Sequence, residues 1–96
     1  MIEHAYKVYW GPEVDKTLKK IPMHIRRKYY TWVAHIELEG LEKTQKQVGL
    51  HDEPLKGNRW GQRSIRLNRS YRVIYELSRT ESIKSIEVKE VTKHEY

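Results

Sequence analysis

Arg63-Ser64-Ile65-Arg66-Leu67-Asn68-Arg69-Ser70-Tyr71-Arg72-Val73-Ile74-Tyr75-Glu76-Leu77 reads as two β-strands joined by a tight polar turn. The placement of that turn decides which side chains face the core. A two-residue turn at Arg69-Ser70 sets Leu67 opposite Arg72. A three-residue turn over 69–71 pairs Asn68 with Arg72 and Leu67 with Val73, and it gathers Ile65, Leu67, Val73, Tyr75 and Leu77 on one side. Because a one-residue slip turns every side chain over, burial selects the second arrangement. Arg66 and Arg72 then share the opposite face of the sheet with Asn68.

Outward from this hairpin the periodicity changes. Residues 83–91 form a further strand after it. Before it, residues 49–63 are polar and loop-like, and residues 41–48 add a helical turn or two. A helix over 23–39 carries Ile25, Tyr29, Trp32, Val33 and Ile36 at three- and four-residue spacing, with Gly40 able to cap its end. An aromatic stripe of this kind is read as core before it is read as a base-stacking surface. Val14, Leu18 and Ile21 line one side of an earlier helix that opens at Pro12 and breaks before Pro22. Residues 6–10 alternate aromatic and β-branched side chains and form a first strand ended by Gly11-Pro12. The order β-α-α-β-β-β predicts a single α+β domain over 1–96, with two helices packed on one face of a small, mostly antiparallel sheet. The expected core includes Val14, Leu18, Ile25, Val33, Ile36, Ile65, Leu67, Val73 and Tyr75.

The composition narrows the function classes. Nineteen Lys and Arg against thirteen Asp and Glu give a formal charge of +6 on 96 residues, an excess that attracts polyanions. The aromatic content is seven Tyr and three Trp with no Phe, so every ring carries a polar tip. There is no cysteine, which removes disulfide frameworks and thiolate metal sites and agrees with a reducing cytoplasm. No apolar run approaches a membrane span, and Met1-Ile2-Glu3-His4-Ala5 lacks the order of a signal peptide.

Three features carry candidate chemistry. Lys56-Gly57-Asn58-Arg59-Trp60-Gly61-Gln62-Arg63-Ser64-Ile65-Arg66 is the densest basic stretch, and its guanidinium forks match phosphate oxygens two at a time. It lacks the Lys-Ser/Thr ending of a Walker A loop. Lys93-His94-Glu95-Tyr96 follows the last strand, and a histidine exchanges protons near neutral pH. His51-Asp52-Glu53 precedes the basic loop and supplies two candidate general bases, His51 and Glu53. Adjacent residues rarely converge on one metal ion, and no Gly-x-Ser-x-Gly or Ser-His-Asp arrangement is present.

The run from Leu55 to Tyr75 resembles the HigB signature: Leu55-x-Gly57-x-Arg59-x-Gly61, then Ser64-Ile65-Arg66-x-Asn68, then Tyr71-Arg72-Val73. Glu53-Pro54-Leu55-Lys56-Gly57-Asn58 is similar to the corresponding stretch of YoeB. Both belong to the RelE superfamily of bacterial toxins. The resemblance implies a ribosome-dependent mRNA endoribonuclease that needs neither metal nor cofactor and is neutralised by a cognate antitoxin. It gives Arg72 contact with the scissile phosphate, Glu53 the role of base with His51 as its rival, and His94 that of general acid with Tyr96 beside it. Lys56, Arg59, Arg63, Arg66 and Lys93 are expected to bind phosphates. The chain departs from YoeB in placing Glu95 between His94 and Tyr96. Two rival readings remain, a ParE-like gyrase inhibitor without nuclease chemistry and a plain nucleic-acid-binding module.

Overall fold

The computed structural model describes residues 5–80 and 83–93. Among the described residues, the expected two helices and four strands become three helices and five strands. Strand β1 (Ala5–Trp10) is followed by α1 (Pro12–Lys20), α2 (Met23–Glu39) and a short α3 (Leu41–Gln45). Then come β2 (Glu53–Pro54), β3 (Gln62–Arg66), β4 (Tyr71–Thr80) and β5 (Ile83–Lys93). The polar segment before the hairpin therefore holds a two-residue edge strand, and single 3-10 turns at Val48–Leu50 and Gly57–Arg59 flank it.

The ends of α1 and the C-terminal end of α2 have local causes. Pro12 opens α1, where its missing N–H costs nothing, and Ile21 is extended ahead of Pro22. Gly40 ends α2 at φ 92°, and its N–H donates to the Ile36 carbonyl at 2.9 Å. A Cβ there would lie 3.4 Å from the Tyr6 ring, an ordinary contact, so it is the positive φ that asks for glycine.

The sheet runs β1-β5-β4-β3-β2, with β1 parallel to β5 and every other pair antiparallel. Ile65, Val73, Tyr75 and Ile86 are completely buried on its helix side, against Leu18, Ile25, Tyr29, Trp32 and Ile36. Rings link the layers: Trp32 meets Tyr75 at 5.3 Å between centroids, and Tyr29 meets Trp10 edge-on at 5.2 Å. Val33 is a correction to the expected core, since it is only partly buried at the margin of this cluster. No helix among the described residues is long and apolar enough to cross a membrane.

The hairpin register also needs correcting. Arg72 stands opposite Arg66, and Val73 opposite Ile65. The turn is three residues long, as expected, but it occupies 68–70. Leu67 donates its N–H to the Tyr71 carbonyl at 2.8 Å, and Asn68 Oδ1 accepts from the N–H groups of Ser70 and Tyr71 at 2.8 and 2.7 Å. This side-chain-to-backbone turn is what fixes the position of the reversal, and it removes Asn68 from the face it was expected to share with the arginines. The pairing moves by two residues, so no side chain changes face.

Candidate active site

In the antiparallel ladder, directly opposed residues project to the same side. Arg66, Arg72 and Thr92 form one cross-strand row on the side away from the helices, and Glu53, Ser64, Ile74 and Glu90 form the next. Because Leu67 is hydrogen-bonded to Tyr71, Arg66 and Arg72 form a non-hydrogen-bonded pair, whose Cα atoms lie about 4.5 Å apart. Strand spacing and rise place the Glu53 Cα roughly 8 Å from that of Arg66 and roughly 12 Å from that of Arg72. Side chains of this length span such gaps toward one bound group.

Two like charges set directly across a sheet oppose folding. Two guanidinium forks side by side on one face also match the oxygens of a single phosphate, so the pair is suited to such a group. The other end of the face is arranged differently. Arg59 makes a short ion pair with Glu90 and donates to Gln62 Oε1 at 3.2 Å, which ties the 57–61 loop onto the sheet. Lys89 sits at a β-bulge opposite Ile74 and Tyr75. Its hydrogen bond to Glu87, with Glu76 also near, raises its ammonium above the ordinary value.

The structure separates the remaining sequence candidates. Arg63 lies on the helix side opposite Tyr75, where its Nε donates to Asp52 Oδ1 at 2.6 Å. Burial works against its charge, but the hydrogen bond and charge of Asp52 outweigh that and raise its pKa. The Tyr75 hydroxyl donates to Asp52 Oδ2 at 2.5 Å and accepts from the Gln45 amide at 3.2 Å. Burial first, and then the Asp52 carboxylate, push the Tyr75 phenol well above its usual range, so it remains a donor. Arg63 is thus engaged in a support beneath β2. Lys93 is opposite Tyr71 and out of phase with Arg72. His51 and Lys56 are exposed in the loop before β3, and His51 is left-handed at φ 48°. His94 and Tyr96 lie outside the described residues.

Sequence reasoning passed over two residues of these rows and one exposed ring. Thr92 is the β5 partner of Arg72, and Ser64 is buried in the Glu53 row. Trp60 is 83% exposed beside Arg59. A tryptophan among glycines and arginines, outside any apolar period, was the available signal for it.

The architecture is that of the RelE/YoeB fold. The YoeB/ParE toxin from Agrobacterium tumefaciens superposes with a TM-score of 0.72 at 21% identity, over 93% of this chain and 99% of that one. The YoeB-YefM toxin-antitoxin complex from Staphylococcus aureus gives 0.68 at 20% identity, over 95% and 98%. The archaeal RelE-RelB complex from Pyrococcus horikoshii OT3 gives 0.63 at 20% identity, over 96% of both chains. No protein-family model and no curated protein sequence matches the chain.

Proposed function

We propose that this protein is the toxin of a type II toxin-antitoxin pair and cleaves mRNA on the ribosome. The observation that carries the reading is the Arg66–Arg72 pair, with Glu53 one row away on the same open face. Glu53 takes the proton from a ribose 2′-hydroxyl. The freed oxygen attacks the adjacent phosphorus, the bond from phosphorus to the 5′-oxygen breaks, and a 2′,3′-cyclic phosphate forms. Arg66 and Arg72 stabilise the charge that builds on the phosphoryl oxygens. His94, two residues beyond Thr92 in the sequence, returns a proton to the departing 5′-oxygen. No step calls for a metal or a cofactor.

In-line attack needs three atoms nearly collinear, a geometry that flexible RNA rarely holds, and such orientation accounts for several kcal/mol of barrier. A decoding site holds each codon in a fixed conformation, which makes the ribosome, through its rRNA and bound mRNA, the natural partner. The charge of +6 favours docking among rRNA phosphates. The test compares purified protein on naked mRNA with the same message in a translating complex. Cleavage confined to the complex supports the reading. Equal, codon-independent cutting of naked RNA indicates a free ribonuclease, and gyrase inhibition without any cutting indicates the ParE-like alternative.

Glu53→Gln keeps the shape of the side chain and removes the base, and it is expected to slow cleavage by about 10²–10⁴-fold. His51→Gly provides the comparison, because glycine relieves the left-handed backbone at a gain of up to about 1 kcal/mol. A strong loss of cleavage in a stabilised His51→Gly protein, with Glu53→Gln silent, transfers the role of base to His51.

The exposed ring of Trp60 is assigned to stacking on a base of the bound message. Trp60→Ala is expected to weaken binding of a 2′-deoxy-substituted, non-cleavable message by about 1–3 kcal/mol. Trp60→Phe should restore most of it. Equal affinity of the alanine protein, measured by fluorescence anisotropy, removes Trp60 from the interface.

A further inference from the structure

Strand β2, which carries Glu53, is two residues long, lies at the sheet edge and pairs with β3 alone among the described strands. Pro54 has no N–H to give to that pairing, and the 3-10 turns at Val48–Leu50 and Gly57–Arg59 flank the segment. A base must stand within about 2.6–3.2 Å of the group whose proton it removes, and so short a strand does not secure that by itself. The residue before it supplies what the ladder lacks. The Asp52 carboxylate is buried on the helix side, where it accepts from Arg63 Nε at 2.6 Å and from the Tyr75 hydroxyl at 2.5 Å. The same hydroxyl accepts from the Gln45 amide of α3 at 3.2 Å. Tyr75 is completely buried, with its ring 5.3 Å from that of Trp32, so the core fixes the hydroxyl that Asp52 meets.

Neighbouring residues of an extended chain point to opposite sides. With Asp52 tied to β3, β4 and α3 on the helix side, Glu53 is held on the open face, one row from Arg66. A slip of one residue would exchange the two carboxylates. We propose that Asp52, with Arg63 and Tyr75, is the positioning unit of the base: it sets where the Glu53 carboxylate stands toward the 2′-hydroxyl and itself touches no part of the message. The role rests on the reading of Glu53 as base given above. Weakening the unit should slow the chemical step and spare binding, because Arg66 and Arg72 are held separately by the ladder of β3 and β4.

The test uses the full chain with Asp52→Asn or Tyr75→Phe, each shown by circular dichroism to be folded at the assay temperature. Asp52→Asn keeps the shape of the side chain and removes the charge that Arg63 meets. Single-turnover cleavage in a translating complex is expected to fall about tenfold or more in Asp52→Asn and about threefold or more in Tyr75→Phe. Both proteins should bind a 2′-deoxy-substituted, non-cleavable message within about twofold of wild type and with the same salt slope. In a Glu53→Gln background the two changes should cost nothing further, since no base is left to position. A merely structural role would not produce that dependence on Glu53. Tyr75→Phe, which keeps the ring and its packing, carries the same test if Asp52→Asn does not fold. The proposal is overturned by full-rate cleavage in the folded variants, by a loss of affinity that matches the loss of rate, or by an equal loss with and without Glu53. The base reading fails instead where Glu53→Gln alone cuts as fast as wild type, and the toxin reading where wild-type protein cuts no message; either takes the proposal with it.

Discussion

Arg72→Ala is expected to reduce message cleavage by about 10²–10³-fold while the protein stays folded. The first half of that expectation comes from charge development. As the 2′-oxygen closes on phosphorus, negative charge grows on the phosphoryl oxygens, and a donor already in place there stabilises the transition state by several kcal/mol. The second half comes from the ladder. Arg72 projects from β4 on the side opposite Val73 and Tyr75, which are completely buried against the helices, so truncating it opens no cavity in that core. Arg72→Lys should fall between the two proteins, since it keeps the charge and loses the two-pronged fork. Circular dichroism with single-turnover cleavage in a translating complex checks both halves. Full cleavage by a folded Arg72→Ala protein would remove the arginine pair from the chemistry.

The parts of this fold that were legible in the sequence are those with a strong local period. Ile25, Tyr29, Trp32 and Ile36 are all buried on α2, as their spacing requires. The β4 alternation placed Arg72 on the open face even though the register was displaced by two residues, because the face depends only on whether the shift is odd or even. The position of the turn was not legible from hydrophobicity. It is set by one carbonyl oxygen of the Asn68 side chain, a contact that leaves no mark on the apolar pattern. The two-residue strand at Glu53–Pro54 is too short to show alternation, and its proline is tolerated because the strand lies at an edge. The parallel pairing of β1 with β5 joins distant parts of the chain and has no local signature.

The candidate site was legible unevenly for the same reason. Counting basic residues treats Arg59, Arg63 and Arg66 alike. The period of two divides them: Arg63 is in phase with the buried Ile65 and Leu67, and Arg66 is not. That distinction was available in the sequence. What it could not supply was the acceptor waiting for Arg63. Asp52 is separated from Arg63 by the whole 3-10 loop, and only the folded chain brings them within 2.6 Å. The charge run is therefore a mixture of a structural arginine, a loop tether at Arg59 and a cross-strand arginine pair, the pair we propose meets phosphate.

This division leads to the largest stability effect expected of a polar residue here. The Asp52 side chain is 1% exposed and accepts from both Arg63 and the Tyr75 hydroxyl. Asp52→Ala leaves a guanidinium without its counter-charge and a buried phenol without its acceptor. Breaking a fully buried pair costs about 3–5 kcal/mol; because Arg63 keeps partial contact with water, about 3 kcal/mol is expected. For a domain of this size, that lowers the thermal midpoint by roughly 15 °C. Arg63→Ala should destabilise in the same direction, yet leave the salt dependence of RNA binding unchanged. Arg66→Ala should do the reverse, keeping the midpoint and lowering the slope of log affinity against log salt by about one phosphate contact. Calorimetry and a salt titration on the three proteins decide the matter. If Arg63→Ala flattens the slope and spares the midpoint, Arg63 holds phosphate after all, and the ion pair with Asp52 gives way when RNA binds.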